Sequence, residues 1–337
     1  MFLKISKNNA AEYMDKYAII VCRLRNSRIK SKQVAIMEMA VLLYDLEGIF
    51  LVNGPLSEVK GLFCYMLPIA HVKHLTEKLV FAGYSHKFYL IDFINLDNET
   101  DLPAETRLWK GRKFGILNLL TQDEEIYKAQ SPHNRPFVIK GSDGINYDVK
   151  GYRGDGSDLG RRALPVEDCR CLVNLAMPHK ISKLTDPFAG AGGIVYTASY
   201  INPDISVTSV DIDPILAPGL KSYGAVHFTE DAAVVRLNDF YDALVTEIPF
   251  DIKATEHILR GLENIYRRLK PAAHVVVMCA EQQADMLTAY FTDSGLFLYV
   301  KHSINRKGTP VFIIAGTLDN EFEERIKPLA ERVLAVY

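Results

Sequence analysis

The chain has 337 residues, 48% of them hydrophobic and 24% charged, and its 39 basic and 41 acidic side chains leave a net charge of −2. That balance suits about two globular domains and excludes disordered, collagen-like and disulfide-scaffold classes. Residues 1–150 carry 20 basic against 17 acidic groups and residues 151–337 carry 19 against 24, so a polyanionic partner would have to be gripped by local patches.

In the first half, residues 2–5 and 49–52 read as strands, and 35–46 and 56–66 as helices. They suggest a smaller α+β domain over 1–150, a candidate RNA-binding module. Two basic stretches stand out there. Arg23, Arg25, Arg28, Lys30 and Lys32 run without an acid between Cys22 and Gln33. Arg107, Lys110, Arg112 and Lys113 interleave with Trp109 and Phe114, a mixture that can grip phosphates and stack on unpaired bases. Residues 151–162 hold Gly151, Gly154, Gly156 and Gly160, which disfavours helix and strand alike and marks a linker. Arg161 and Arg162 close that linker and complete the set of candidate substrate-binding cations.

From 163 to 337 the pattern is regular. A helix over 166–177, opened by Pro165, precedes a short strand over 183–186. A Gly-rich turn leads into a helix over 194–201, then a strand over 206–211 and a weak helix over 212–223 interrupted by Pro214 and Pro218. Short strands over 225–228 and 242–246 follow. Ile258, Leu259, Leu262, Ile265 and Leu269 have helical spacing within 252–269, and the apolar run 274–278 suits a central parallel strand. A helix over 282–291, a hairpin of 296–304 with 311–315, and a last helix over 320–335 complete the chain. Strands alternating with helices predict a Rossmann-like α/β fold, a seven-stranded, mostly parallel sheet with an antiparallel edge hairpin.

The five cysteines have no regular spacing, and Cys169 and Cys171 lack a second pair, so neither a disulfide framework nor a metal site is expected. The N-terminus has no apolar run of signal-peptide length, and no stretch approaches the roughly 18 apolar residues of a membrane span, so a soluble cytoplasmic protein is expected.

The sharpest motif is Asp186-Pro-Phe-Ala-Gly-Ala-Gly-Gly193, where a strand ends, a Gly-rich turn follows and a helix begins. Open α/β sheets bind ligands at such carboxyl ends. Asp211 ends the next strand and can accept from vicinal ribose hydroxyls. Asp231, after the strand that follows, can accept from an exocyclic amino group. Together the three aspartates describe a nucleoside site.

These residues resemble the first motif of AdoMet-dependent methyltransferases that act on amino groups of nucleic-acid bases. The stretch is most similar to the RNA methylase family that includes the THUMP-associated tRNA guanine-N2 methyltransferases. Residues 164–176 resemble the helix which that family places before the motif, and Val210-Asp-Ile-Asp-Pro214 matches its second motif. The resemblance covers about 160–316. It implies that AdoMet is the cofactor. It puts Asp186, Phe188, Gly190 and Gly192 at the methionine end, Asp211 at the ribose, Ile212 on the adenine face and Asp231 at the adenine amino group. It also implies that the substrate is an amino group of an RNA base, tRNA above all.

The family's catalytic motif is Asp/Asn-Pro-Pro-aromatic, and this chain has Glu247-Ile-Pro-Phe250 in its place. Under the resemblance, Glu247 and the Ile248 carbonyl accept from the target amine, Pro249 holds the turn and Phe250 stacks on the base. The acid is one methylene longer than usual, and Ile248 is freer than proline. Two readings stay open: an active variant of the site, or a drifted site in which Phe250 is an ordinary buried ring. The alternatives are therefore a methyltransferase for DNA or a small molecule, and a catalytically silent AdoMet-binding homologue. A full THUMP pattern cannot be placed in 95–150.

Overall fold

The structure, a computed structural model, describes residues 2–93, 107–122, 136–140, 146–150, 164–306 and 308–336. It divides into two compact units: Met1–Gln122 with Arg325–Tyr337, and Asp123–Glu324. The expected linker over 151–162 lies outside the described residues. The strands Pro136–Lys140 and Asn146–Lys150 cluster with the second unit, although the expected N-terminal domain ran to residue 150.

The first unit is a seven-stranded mixed sheet in the order β1-β3-β4-β2-β5-β7-β6. Its strands are β1 (Phe2–Leu3), β2 (Tyr17–Leu24), β3 (Ile49–Leu51), β4 (Leu62–Pro68), β5 (Ser85–Phe93), β6 (Arg107–Trp109) and β7 (Arg112–Thr121). Helices α1 (Ala10–Met14), α2 (Lys32–Leu42) and α3 (Leu75–Leu79) belong to the same unit. Only β1 with β3 is a parallel pair.

The helix expected over 56–66 is not formed; its second half is β4, hydrogen-bonded to β2 on one side and β3 on the other. Phe63 to Leu67 are all buried there. A continuous apolar run fits a central strand as well as a buried helix, so periodicity alone could not decide it.

The second unit carries the hairpin β8 (Pro136–Lys140) and β9 (Asn146–Lys150) and a second seven-stranded sheet. In chain order its elements are α4 (Val166–Leu175), β10 (Lys183–Asp186), α5 (Gly193–Ile201), β11 (Ser206–Val210), α6 (Ala217–Ser222), β12 (Val226–Phe228), β13 (Tyr241–Glu247) and α7 (Thr255–Tyr266). They continue with β14 (Leu269–Ala280), α8 (Glu281–Asp293), β15 (Phe297–Arg306) and β16 (Thr309–Thr317), and the chain closes with α9 (Asn320–Val336), of which only the start, to Glu324, belongs to this unit. The sheet order is β12-β11-β10-β13-β14-β16-β15, parallel except for β16, which runs antiparallel to both neighbours. This is the expected Rossmann-like α/β sheet, seven-stranded and mostly parallel, with the hairpin at its edge and its antiparallel member one place in.

Val275, Val276 and Val277 of β14 are fully buried, as a strand covered on both faces requires. The chain runs from β10 out to β12 on one side and then crosses to β13 on the other. The carboxyl ends of β10 and β13 therefore flank a topological switch point, where such sheets bind ligands. Helix α4 packs closely on α5 because Gly193 has no side chain: a Cβ there would meet Cys169 Sγ at 2.7 Å. Helix α9 starts in the second unit, where Phe322 packs edge-on against His274 and Tyr299. From Arg325 onward it counts with the first unit, where the Arg325 guanidinium lies 3.9 Å over the Tyr44 ring.

Candidate active site at the switch point

Asp186 is the last residue of β10 and only 1% exposed. Its Oδ1 accepts from Thr246 Oγ1 at 2.6 Å and from the Phe188 N–H at 3.3 Å. The first bond ties the carboxyl ends of β10 and β13 together. Burial pushes the Asp186 carboxyl up to about 7, against the pull of those two donors; Asp211 and Glu247 add to the rise.

An acid raised from 3.8 to about 7 on folding keeps its proton in the native state after the unfolded chain has lost it. Stability therefore falls as pH rises through that window. Asp186→Asn, which can still accept from Thr246, should remove that loss. Thermal unfolding across about pH 4 to 8 checks it, and an unchanged pH slope in the variant would contradict the assignment.

After β10 the turn is stitched to the end of β11. The Ala189 N–H donates to the Val210 carbonyl at 3.0 Å, and the Gly190 N–H donates to Asp211 Oδ2 at 2.8 Å. Asp211 Oδ1 takes the Asp213 N–H at 3.0 Å. Gly190 and Gly192 have φ of +49° and +79°, a region that glycine enters without the Cβ penalty. A Cβ on Gly192 would also press on Leu220 and Tyr223 at 3.0 Å. The result is a turn with no side chain larger than a methyl from 189 to 193, beside an immobilised carboxylate. Each carboxylate oxygen has a second lone pair, so Asp211 keeps the capacity to accept from a diol.

Ile212, next to it in the chain, is an apolar side chain left 71% exposed. Asp231 Oδ1 accepts from the Ala233 N–H at 2.9 Å. Its Oδ2 lies 2.7 Å from His257 Nε2 of α7, and Arg260 stands behind that ring. Phe188 is partly buried, and Gly261 of α7 leaves room for its ring. These contacts tie the Gly190 turn to Asp211 and set Phe188 and Asp231 against α7, and the chemistry of the residues fits the expected group: carboxylates for a diol and an amine, a turn of small residues, and the exposed apolar side chain of Ile212.

Glu247 ends β13. Its carboxylate is paired with Arg306 Nη1 at the end of β15, and Arg306 Nε stands 3.7 Å from Asp168 Oδ2 of α4. Asp168 is fully buried. Burial pushes the Glu247 carboxyl up, Arg306 pulls it back, and Asp168 adds to the rise.

Ile248 is not the freer residue that its replacement of proline suggested. Its side chain is 1% exposed within the hydrophobic core, and its N–H donates to the Met278 carbonyl at 3.0 Å. Packing supplies the restraint that a proline ring would have supplied. Pro249 presents its carbonyl to Gln283 Nε2 at 3.0 Å, and Phe250 is 38% exposed rather than buried.

Sequence reasoning missed Thr246, Arg306, Asp168, His257 and Gln283. Arg306 sat in a hairpin signal and Asp168 in a helix already assigned to packing. Only Thr246, adjacent to Glu247, carried a positional hint.

The candidate substrate residues of the first unit fare unevenly. Trp109 is not available for stacking: it is 9% exposed, packs near Phe93 and donates from Nε1 to the Asn53 carbonyl at 2.9 Å. Phe114 is buried as well. Alternation on β6 and β7 turns these rings into the core, a consequence of strand pleating that the cation count hides. Arg112 is half-buried and lies near Asp15 and Met14. Lys110 sits in the β6–β7 turn with φ +49°, and Lys113 is half-buried on β7. Arg107 is exposed. In the other basic run, Arg25 is buried, donating to the Gly83 carbonyl and to Gln122, and Arg28 is buried over the Tyr84 ring. Arg161 and Arg162 lie outside the described residues. All five cysteines are buried and free. No helix among the described residues is long and apolar enough to cross a membrane.

No family model matches the chain. A curated tRNA (guanine(10)-N2)-dimethyltransferase of Methanothermobacter thermautotrophicus is 29% identical over 158 residues, which are 45% of this chain and 40% of that protein. The chain thus matches less than half the length of that relative. Among solved structures, TrmN from Thermus thermophilus aligns with a TM-score of 0.47 at 12% identity, over 89% of this chain and 99% of that one. An rRNA methylase from Streptococcus thermophilus aligns with a TM-score of 0.34 at 15% identity, over 46% and 96%. Over those 158 residues the chain is similar in sequence to a tRNA guanine-N2 methyltransferase.

Proposed function

We propose that the chain is an AdoMet-dependent N-methyltransferase acting on an exocyclic amino group of an RNA base, with tRNA as the substrate class. The observation that carries this reading is the convergence of Asp186, the Gly190–Asp211 bond and Glu247 on the carboxyl ends of β10, β11 and β13. The similarity to a tRNA guanine-N2 dimethyltransferase supports the choice of an amino group on RNA.

AdoMet, when bound, supplies an activated methyl group. The chain's own residues do the rest. Asp211 would hold the ribose hydroxyls, Asp231 the adenine amino group, and Ile212 would lie against the adenine. Gly190 and Gly192 would leave room for the methionine end beside Asp186 and Phe188. Glu247 and the Ile248 carbonyl would accept from the target N–H groups and so orient the nitrogen lone pair. Pro249 would fix the turn and the exposed face of Phe250 would stack on the base. Such positioning of two reactants is the main rate contribution available to a site of this kind.

Asp211→Ala should weaken AdoMet binding by about 1.5–3 kcal/mol, the scale for hydrogen bonds to a charged group. Calorimetric titration measures it, and unchanged affinity would overturn the ribose assignment. Transfer of labelled methyl groups to a tRNA pool tests the activity itself. The pairing of Glu247 with Arg306 favours one rival, a silent AdoMet-binding protein. Cofactor binding without methylation of RNA, DNA or small amines would establish that rival.

A further inference from the structure

The first unit holds a cavity of about 540 Å³ whose apolar lining packs on the core cluster that includes Trp109. That volume lies within the roughly 300–1,000 Å³ of small-molecule sites. Half-buried Leu56, Leu62 and Ile116 give it an apolar floor, and the ring of Tyr89 stands among them. Asn118 of β7 adds an amide at the wall. Three exposed cations surround this floor: Arg23 from β2, Lys60 from the loop before β4, and Arg107 from β6. Among the described residues, no carboxylate lines the cavity. Among the described residues, none of the three cations forms an ion pair, whereas Arg25, Arg28 and Arg112 of the same basic runs are engaged by the protein.

We infer that this cavity is a binding site for a nucleotide of single-stranded RNA, with the phosphates between Arg23, Lys60 and Arg107 and the base against Tyr89. The inference rests on the proposed function for the presence of RNA, and it names a recognition site far in sequence from the transfer site. Exposed cations around an apolar floor suit a ligand that is anionic at one end and flat and apolar at the other. A nucleotide has that division. A duplex does not, because its bases are stacked away from side chains and only its phosphates are offered. The amide of Asn118 can donate and accept, which allows some reading of a base edge. Two separate basic stretches of the sequence contribute, and the antiparallel sheet is what brings Arg23 and Arg107 to one cavity.

The test uses the full chain and a fluorescently labelled single-stranded oligouridine, titrated by anisotropy at several salt concentrations. The variants are Arg23→Ala, Arg107→Ala and Tyr89→Leu. The two arginine side chains are exposed, so those variants should keep the wild-type melting temperature. Each arginine variant should weaken binding about tenfold and lower the salt slope by about 0.7 for each phosphate it no longer neutralises. Tyr89→Leu should weaken it by a similar factor through reduced stacking. AdoMet affinity should not change.

Unaltered oligouridine affinity in both arginine variants, with RNA methylation intact, would overturn the cavity assignment and leave the proposed function standing. Uridine monophosphate bound as tightly as the oligomer would also overturn it, in favour of a free nucleotide. A duplex of the same length bound more tightly, and equally sensitive to Arg23 and Arg107, would overturn the single-strand assignment. Absence of RNA binding in a wild-type protein that binds AdoMet would overturn both this inference and the RNA substrate.

Discussion

Glu247→Ala should lower the rate of methyl transfer by about 10²–10³, the usual loss when one group that orients or stabilises the reacting atoms is removed. AdoMet affinity should stay within about twofold, because Asp211 and Asp231 are untouched. Folding should also persist: Arg306 keeps its approach to Asp168 when the Glu247 carboxylate is gone. Single-turnover transfer to tRNA measures the effect, and wild-type rates in the variant would end the catalytic role of Glu247.

Glu247→Asp is the informative companion. It restores the shorter acid that resembling enzymes use at this position, but it also draws the carboxylate back from Arg306. If rate survives in the aspartate variant, the carboxylate alone matters. If rate collapses as in the alanine variant, the pairing with Arg306 sets the position of the acceptor, and the longer side chain is part of the design of this site.

The acceptor and its loop were legible in the sequence as a position but not as an environment. Asp186, the Gly-rich turn, Asp211 and Asp231 could be found because each follows a short strand, and parallel strands put their carboxyl ends on one edge. The strand over 183–186 is the clearest case, and the structure gives β10 the same limits. Arg306 could not be found that way. It reaches Glu247 from a strand that lies three places across the sheet, through a pairing set by the insertion of β16 between β14 and β15.

The buried state of Ile248 was equally hidden, since its restraint comes from Met278 and the core cluster rather than from its own chemistry. In the first unit the reverse error occurred. Trp109 and Phe114 looked like a stacking surface because composition shows rings beside cations, yet the pleat of β6 and β7 sends rings inward. The segment 62–66, part of the helix expected over 56–66, looked helical because a strand buried on both faces has no alternation to read.

The charge cluster at Arg306 makes the second large expectation. Arg306→Met removes the cation shared by the Asp168 and Glu247 carboxylates while keeping much of the side-chain volume. Breaking a buried pair from one side costs about 3–5 kcal/mol, because the remaining charge is left in a poor solvent. Here the cost should depend on pH. Arg306 is the group that opposes the rise of the Glu247 carboxyl, so its loss lets burial and Asp168 push that carboxyl further up.

A native state whose carboxyl is raised binds more protons than the unfolded chain between the two pKa values, and stability falls as pH rises through that interval. The variant should therefore lose more stability at about pH 8 than at about pH 5, measured by urea unfolding. Asp186 and Cys169, which also feel Glu247, shift in the same direction in both proteins and largely cancel in the difference. Glu247→Gln placed in the Arg306→Met background should recover a large part of the loss at the higher pH, since a neutral amide needs no counter-charge. Equal losses at both pH values, or no recovery in the double variant, would mean that Arg306 acts through packing and not through the charge on Glu247.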